Sequence, residues 1–255
     1  MSSQPLARLP DQAIDFLQPY LPQKLDRIYV TLTFAQSLDS RIAAGRGQRT
    51  QLSGIESKSM THYLRGHHDA ILVGANTVLA DNPSLNCRYP VKGKSASEVS
   101  PRPIVVDPSF RCGLSKQSKV VQSALAAEGK APWIIVSSEW RNGASLDELR
   151  QIAELESTGA RVVPSDGLFG TDTWTAVFKT LSDNGITSVM VEGGAKVINE
   201  LLLSNIDSLV ITVAPVYLGQ DGVEVSPKDP FNLLREVKWH SFGRDVVMAS
   251  FKDNF

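Results

Sequence analysis

The chain has 255 residues, which is enough for one large α/β domain or two small ones with a sizeable core. Its 26 basic and 27 acidic residues leave a formal net charge of −1, which excludes a global electrostatic attraction to nucleic acid or to an anionic membrane. No apolar run approaches the roughly 20 residues of a membrane span, and the two cysteines, Cys87 and Cys112, form no CxxC pair and are predicted to be free thiols.

The first half of the chain is predicted to alternate strands and helices. An N-terminal arm, residues 1–26, contains one short helix at about 11–18. Its Pro- and Asp-containing sequence fits neither a secretory signal nor a transit peptide, so we expect a cytoplasmic protein. In chain order there follow a strand at 27–37, a loop at 38–47, a helix at 54–65 capped by Ser53 or Ser57, a strand at 69–74, a helical turn at 75–82 that stops before Pro83, an extended segment at 85–88, an exposed loop at 92–103, and strands at 103–107 and 132–137.

The second half continues the alternation and ends in two strands with no helix between them. The predicted elements are a helix at 146–157, a strand at 160–163, a helix at 171–184, a strand at 206–216, a loop at 219–231 and an antiparallel pair at 235–241 and 244–251. The residues predicted to face the core from the two helices are Leu146, Leu149, Ile152, Ala153 and Leu155, and Trp174, Val177, Phe178 and Leu181. This pattern predicts a single α/β domain over 27–255, with a mixed, mostly parallel sheet flanked by helices and antiparallel C-terminal strands.

One stretch, residues 185–203, carries the clearest sign of a binding site. A buried strand ends at Glu192, the pair Gly193-Gly194 follows, and an apolar helical face begins after Ala195. Strand, Gly-Gly and helix together aim free backbone N–H groups at an anion such as a pyrophosphate. A turn with no ligand is the alternative. Glu192 favours a site, because its carboxylate must reach solvent in a cleft or have a partner there.

Several catalytic signatures are absent from the sequence. It contains no G-x-G-x-x-G after a strand, no P-loop, no G-x-S-x-G and no H-E-x-x-H. The adjacent pair His67-His68 points in two directions on most backbones. We therefore expect no metal site.

Four stretches, in this order, resemble a known family: SLDSRIA (37–43), HYLRGHHDAILVGANTVLADNPSLNCR (62–88), PIVVD (103–107) and VEGGAKVINELL (191–202). They resemble the riboflavin-pathway reductases that share the dihydrofolate reductase fold, and among these the stand-alone fungal members, over nearly the whole chain. The resemblance implies a dihydrofolate-reductase-like fold, a homodimer, and NADPH as the cofactor.

The resemblance also implies a reaction. The ribosylamino side chain of 2,5-diamino-6-ribosylamino-4(3H)-pyrimidinone 5′-phosphate would be reduced to the ribitylamino compound by hydride transfer to sugar C1′. One alternative is reduction after deamination, with 5-amino-6-(5-phosphoribosylamino)uracil as substrate. A second is dihydrofolate reduction, for which Glu56 is the only early acid that stands out. A nucleotide-binding module without catalysis and a structural α/β protein are the remaining alternatives.

The same resemblance assigns candidate residues. Those implied for the cofactor are Thr77, Asp81, Val162, Val191, Glu192, Gly193, Gly194 and Ala195, and those for the substrate are Arg65, Leu85, Arg88 and Glu192. Glu192 is the one candidate for a catalytic proton relay. The residues alone favour a structural role, with Thr77 and Asp81 capping and terminating a helix and Arg88 as a surface charge. The sequence departs from the family at 49–51 and at Pro108, and Ser137, Ser138 and Arg141 are the candidates for the 2′-phosphate.

Overall fold

A nine-stranded sheet runs through the computed structural model, which describes residues 6–48, 50–168, 172–230 and 234–253. The strands are β1 (Tyr29–Gln36), β2 (Arg41–Ala43), β3 (Ala70–Gly74), β4 (Arg102–Val106), β5 (Trp133–Ser137), β6 (Arg161–Ser165), β7 (Ser188–Gly193), β8 (Ser208–Val213), β9 (Val223–Glu224), β10 (Leu234–Phe242) and β11 (Asp245–Lys252). The order in the sheet is β10-β11-β8-β1-β7-β3-β4-β5-β6. From β8 to β6 all neighbours are parallel, whereas β11 is antiparallel to both β8 and β10.

Helices cover both faces of this sheet. They are α1 (Asp11–Leu17), α2 (Ile55–Arg65), α3 (Ala75–Asp81), α4 (Ala96–Val99), α5 (Lys119–Leu125), α6 (Ser138–Asn142), α7 (Leu146–Glu156), α8 (Thr173–Asp183) and α9 (Ala195–Leu202). Helices α8 and α9 pack on one face, and α1, α2, α3, α5 and α7 on the other. The predicted fold class is therefore confirmed. None of these helices is long and apolar enough to cross a bilayer.

Strand β7 is the middle strand, as its apolar, β-branched sequence predicts. It lies between β1 and β3, and Val189, Met190 and Val191 are completely buried. Its carboxyl end therefore opens at the centre of one rim of the sheet, where open α/β sheets bind their ligands.

Some predicted local features differ from the structure. Leu146 is 74% exposed and Ala153 is exposed, because α7 turns only a narrow stripe, centred on Ile152 and Leu155, toward the sheet. The predicted loop at 92–103 contains α4, whose capping box is formed by Ser95 and Glu98. The predicted loop at 38–47 contains β2, which pairs with β9. Short elements of this kind have too few residues for a periodic pattern.

The start of α2 also differs from its prediction, since neither Ser53 nor Ser57 caps it. The N-cap residue is Gly54, and its N–H donates to Asp245 Oδ2 at 2.7 Å. The Ser57 hydroxyl donates to the same carboxylate oxygen. The first residue of β11 thus supplies the capping acceptor from 191 residues away.

A buried polar network underneath the sheet ties α2 to β1 and β8. His68 Nδ1 lies 2.7 Å from the Leu64 carbonyl oxygen, to which it donates, and His68 Nε2 accepts from the Thr31 hydroxyl at 2.8 Å. The Ser208 hydroxyl donates in turn to Thr31 Oγ1 at 2.9 Å. Burial lowers the pKa of His68 to about 4, so the neutral imidazole is the folded form at pH 7.

We expect this network to make stability depend on pH. The pKa of His68 is about 4 in the folded protein and about 6.5 in the unfolded chain. Neutral His68 therefore contributes its full stabilisation above about pH 6.5, and this stabilisation is lost as the pH falls toward about 4. Between these values we expect the free energy of unfolding to fall by up to about 1.4 kcal/mol per pH unit. Urea unfolding at pH 7, 6 and 5 of wild type and His68→Gln, whose amide does not titrate, measures it. Equal slopes for the two proteins would contradict the assignment.

Candidate active site

The candidate site lies where the adjacent strands β7 and β3 end and the helices α9 and α3 begin. The N-cap residues of these helices are Gly194 and Gly74, and neither helix has a side-chain cap. The first N–H groups of a helix have no partner within it, and they carry partial positive charge. For the eight-residue α9 this arrangement leaves backbone donors available to an anion at the rim of the sheet.

The Gly-Gly turn requires glycine at both positions. Gly193 has φ +112° and Gly194 has φ +81°, a region that other residues rarely adopt. A Cβ on Gly194 would lie 2.9 Å from Thr77 Oγ1, and a Cβ on Gly193 would lie 2.8 Å from Ile198 Cδ1. The turn therefore packs directly against α3, and the structure brings Thr77 and Gly194 together.

Neither Thr77 nor Asp81 is the N-cap or the C-cap residue of α3. The helix is bounded by Gly74 at its N-cap and by Asn82, with φ 41°, at its C-cap. Thr77 lies inside the helix beside the Gly-Gly turn, and Asp81 ends it in a half-buried position. Both side chains are thus on the helix that borders the rim.

Glu192 has a partner in the structure, and that partner is Arg65 at the end of α2. Arg65 Nε and Nη2 donate to Glu192 Oε1 and Oε2, each at 2.6 Å. The two side chains are only 13% and 16% exposed. Burial alone would lower the pKa of Arg65, but the adjacent Glu192 carboxylate more than offsets this and raises it. The pair is therefore a charged, bidentate clamp at the carboxyl end of the central strand.

The segment 85–88 is held against α2 next to this clamp. Arg65 Nη1 donates to the Asn86 carbonyl oxygen at 2.9 Å, and Cys87 Sγ donates to the His62 carbonyl oxygen at 3.1 Å. Leu85 is buried with φ +54°, a strained conformation for a residue with a branched side chain. Three of the predicted substrate residues, Arg65, Arg88 and Glu192, thus meet near the end of α2. The fourth, Leu85, packs in the core cluster that includes α3 and α5.

Val162 is the one predicted cofactor residue that lies apart from the others. Gly193 and Val162 lie at the same height across the sheet, but on strands β7 and β6, which are four strand positions apart. The residues that pair in register between them are Val73, Val105 and Ile134. That separation is about 19 Å. Val162 is also buried, and its N–H donates to Glu156 Oε1. Only a ligand extended along the rim reaches both positions.

The remaining candidates lie elsewhere on the same rim or outside the site. Ser137 is completely buried and caps α6 by accepting from the Trp140 N–H, while Ser138 and Arg141 belong to that helix. The Pro108 carbonyl oxygen accepts from the Ser137 N–H. Of the residues at 49–51, Arg49 lies outside the described residues. Val191 is buried beneath the turn, and Ala195 begins α9.

Sequence reasoning missed two neighbours of the clamp, His62 and Asn86. His62 lies on the same helical face as Arg65, three residues earlier, and this spacing was the available signal. Asn86 contributes its backbone carbonyl, which no sequence pattern reveals.

Across the described ranges no group of three metal-ligating side chains is found. His67 and His68 bond to different carbonyl oxygens of α2.

Comparison with known proteins identifies the family of the chain. The RibD C-terminal domain family matches residues 28–248. The 2,5-diamino-6-ribosylamino-4(3H)-pyrimidinone 5′-phosphate reductase of Debaryomyces hansenii is 42% identical, over 92% of this chain and 94% of the relative. The reductase of the same name from Saccharomyces cerevisiae is 41% identical, over 92% and 93%. The solved structure of the riboflavin biosynthesis reductase Rib7 from S. cerevisiae is 37% identical, with a TM-score of 0.74, and covers 94% of this chain and 98% of that chain. The chain therefore belongs to the RibD C-terminal domain family and is a reductase of the kind found in riboflavin biosynthesis.

Proposed function

We propose that the chain uses NADPH to reduce 2,5-diamino-6-ribosylamino-4(3H)-pyrimidinone 5′-phosphate to the ribitylamino compound, as a cytoplasmic homodimer. Two relatives that are named for this activity match more than nine-tenths of the chain. The observation that carries the proposal is the Gly193-Gly194 turn packed on Thr77, one residue from the Glu192–Arg65 clamp. This juxtaposition supports a dinucleotide cradle beside a polar site for the sugar.

The residues of the rim fit a dinucleotide. A side chain on Gly194 would fill the space beside Thr77, and α9 begins without a side-chain cap, so a diphosphate can approach the backbone closely. Gly193, Gly194, Ala195, Thr77 and Asp81 would hold the cofactor. Ser138, the first residue of α6, and Arg141, in its last turn, are our candidates for the 2′-phosphate.

The chain's own residues position the sugar and exclude water. When bound, NADPH supplies the hydride that reduces C1′ of the ring-opened ribosylamino group. Glu192, held by Arg65, accepts hydrogen bonds from sugar hydroxyls or pyrimidine amino groups in a fixed direction. A proton relay through Glu192 is a further role that we propose for the same carboxylate.

The outermost strand of the sheet supports a homodimer. Strand β10 is the outermost strand, and Val237 and Trp239 on it are 43% and 61% exposed. A nine-residue edge strand with exposed apolar side chains requires a cover. A second copy of this chain would cover the strand if the β10 strands of the two copies lay against each other.

We expect sedimentation velocity at micromolar concentration to give a dimer, and Trp239→Lys to weaken the dimer at least tenfold. A charge on the edge strand opposes pairing of two such edges. Leu146→Lys, which changes another exposed apolar residue on a helix, is the matched control and is expected to leave the dimer intact. A monomeric wild type would contradict the assembly.

The proposed activity is tested by following NADPH absorbance with three substrates: the diamino pyrimidinone phosphate, its deaminated analogue and dihydrofolate. We expect oxidation with the diamino compound. If NADPH is oxidised only with the deaminated analogue, the family assignment stands, but reduction follows deamination instead of preceding it. Binding of NADPH without oxidation by any of the three would favour a non-catalytic nucleotide-binding module.

A further inference from the structure

The N-terminal arm packs firmly against the domain, although it lies outside the part of the chain that matches the family, which begins at residue 28. Helix α1 and the residues on either side of it form one apolar cluster with α2, β10 and β11. The arm residues of this cluster are each less than a tenth exposed, and they are Leu9, Ala13, Phe16, Leu17, Tyr20 and Leu21. The arm is therefore a fixed part of the fold.

One contact of the arm reaches Tyr89, the residue that follows the segment 85–88. The Leu9 N–H donates to the Tyr89 hydroxyl at 2.9 Å. The ring of Tyr89 also meets the ring of Tyr63 on α2 edge-on, with 5.3 Å between the two centroids. Tyr89 is half-buried and packs on the cluster that the arm forms with α2. The arm and α2 thus hold the same side chain.

The residues before Tyr89 are anchored on α2 through their backbone. The Asn86 carbonyl oxygen accepts from Arg65 Nη1 at 2.9 Å, and the Arg88 N–H donates to His62 Nδ1 at 3.0 Å. The peptide unit that joins Arg88 to Tyr89 is planar, so the backbone of Arg88 cannot turn independently of Tyr89. The contact with the arm is therefore the last of a series of anchors along this segment.

We propose that Tyr89 is a positioning residue for the substrate and that the arm acts through it, because the bond from the Leu9 N–H fixes the backbone on which Arg88 is carried. The inference rests on the proposed function, in which Arg88 binds the substrate. Tyr89 acts through the segment and does not itself touch the substrate. A single hydrogen bond to a neutral group changes an equilibrium by up to about tenfold, which sets the size of the effect.

Tyr89→Phe tests the proposal, because it keeps the ring against Tyr63 and removes the acceptor of the Leu9 N–H. We expect the KM of the diamino pyrimidinone phosphate to rise by about 3- to 10-fold. The kcat should be nearly unchanged, since the loss weakens the ground state and the transition state alike. Steady-state oxidation of NADPH measures both constants.

Tyr20→Phe is the matched control, because it also removes a tyrosine hydroxyl that ties the arm to the domain. The Tyr20 hydroxyl donates to the Glu236 carbonyl oxygen on β10, far from the segment in the sequence. Tyr20→Phe should lower stability in urea unfolding and leave the KM at its wild-type value. If the two variants raise the KM equally, or if Tyr89→Phe does not raise it, the contact is only structural and the inference fails, while the proposed function stands.

Amide hydrogen exchange tests the same link without turnover. The N–H groups of Leu9 and Arg88 should exchange about 3- to 10-fold faster in Tyr89→Phe than in wild type, and that of Arg88 should keep its wild-type rate in Tyr20→Phe. An Arg88 N–H that exchanges equally fast in wild type and Tyr89→Phe would overturn the inference, whatever the substrate of the enzyme proves to be. Failure of the proposed function is seen separately, in the wild-type protein, as no oxidation of NADPH with the diamino compound.

Discussion

Gly194→Ala is expected to weaken NADPH binding by about 100-fold or more and to remove most of the reductase activity. The substitution imposes a side chain on a residue with φ +81°, and the new Cβ would meet Thr77 Oγ1 at 2.9 Å. Relief of that contact moves the turn away from α3. The backbone donors at the start of α9 then lose their alignment with the diphosphate. Fluorescence titration with NADPH measures the effect.

Gly219→Ala is the matched control for this prediction. Gly219 has φ +83°, nearly the same backbone conformation, but a Cβ there would have no neighbour within 4 Å. It therefore reproduces the backbone strain without the contact with Thr77, and NADPH binding is expected to match that of wild type. A Gly194→Ala protein that binds NADPH as tightly as Gly219→Ala would show that the turn is not the cofactor site.

The second large effect is expected at the clamp, where Arg65→Met should lower the free energy of unfolding by about 3 kcal/mol. The substitution leaves the Glu192 carboxylate mostly buried with no guanidinium to pair with it. It also frees the Asn86 carbonyl oxygen, which anchors the segment 85–88. Because that segment and Glu192 face the substrate in our proposal, kcat/KM should fall by about 100-fold or more. Urea unfolding and NADPH oxidation measure the two effects.

A surface ion pair provides the control for the clamp. Arg150 and Asp147 are 76% and 83% exposed, so Arg150→Met should change neither stability nor activity appreciably. Adding Glu192→Gln to Arg65→Met should restore part of the stability, because the buried charge is then gone. Strictly additive losses in the double variant would contradict a direct pairing.

Glu192→Gln alone distinguishes positioning from proton transfer. The amide keeps the shape of the side chain and one acceptor for Arg65, but it cannot relay a proton. A proton role predicts a large loss of kcat at saturating substrate, together with a changed pH profile. A variant that turns over as fast as wild type would confine Glu192 to positioning.

The architecture around the turn follows from local sequence patterns. The β-branched run before Glu192 predicted the central strand, and the two glycines after it predicted the positive φ values. The spacing of the apolar residues that follow predicted α9. These features depend on residues within about 20 positions of one another, and backbone sterics and periodicity act at that range.

The partners of the site were not predictable in the same way. Arg65 and Glu192 are 127 residues apart, and Asp245 reaches Gly54 from 191 residues away. Nothing in the local pattern around either residue encodes such a pairing, because it depends on how α2 is laid against the sheet. The exposed position of Leu146 has the same origin, since the tilt of α7 decides which of its apolar residues reach the core.

The central claim is that this site transfers hydride from the nicotinamide to C1′ of the diamino pyrimidinone phosphate. The most direct measurement is mass spectrometry and NMR of the product formed with NADPH in which both hydrogens at C4 of the nicotinamide are deuterium. We predict a ribitylamino product with one deuterium, located at C1′, formed from the diamino substrate and lost when Gly194 is replaced by alanine. A product without deuterium at C1′, or one formed only from the deaminated analogue, would contradict the proposed reaction.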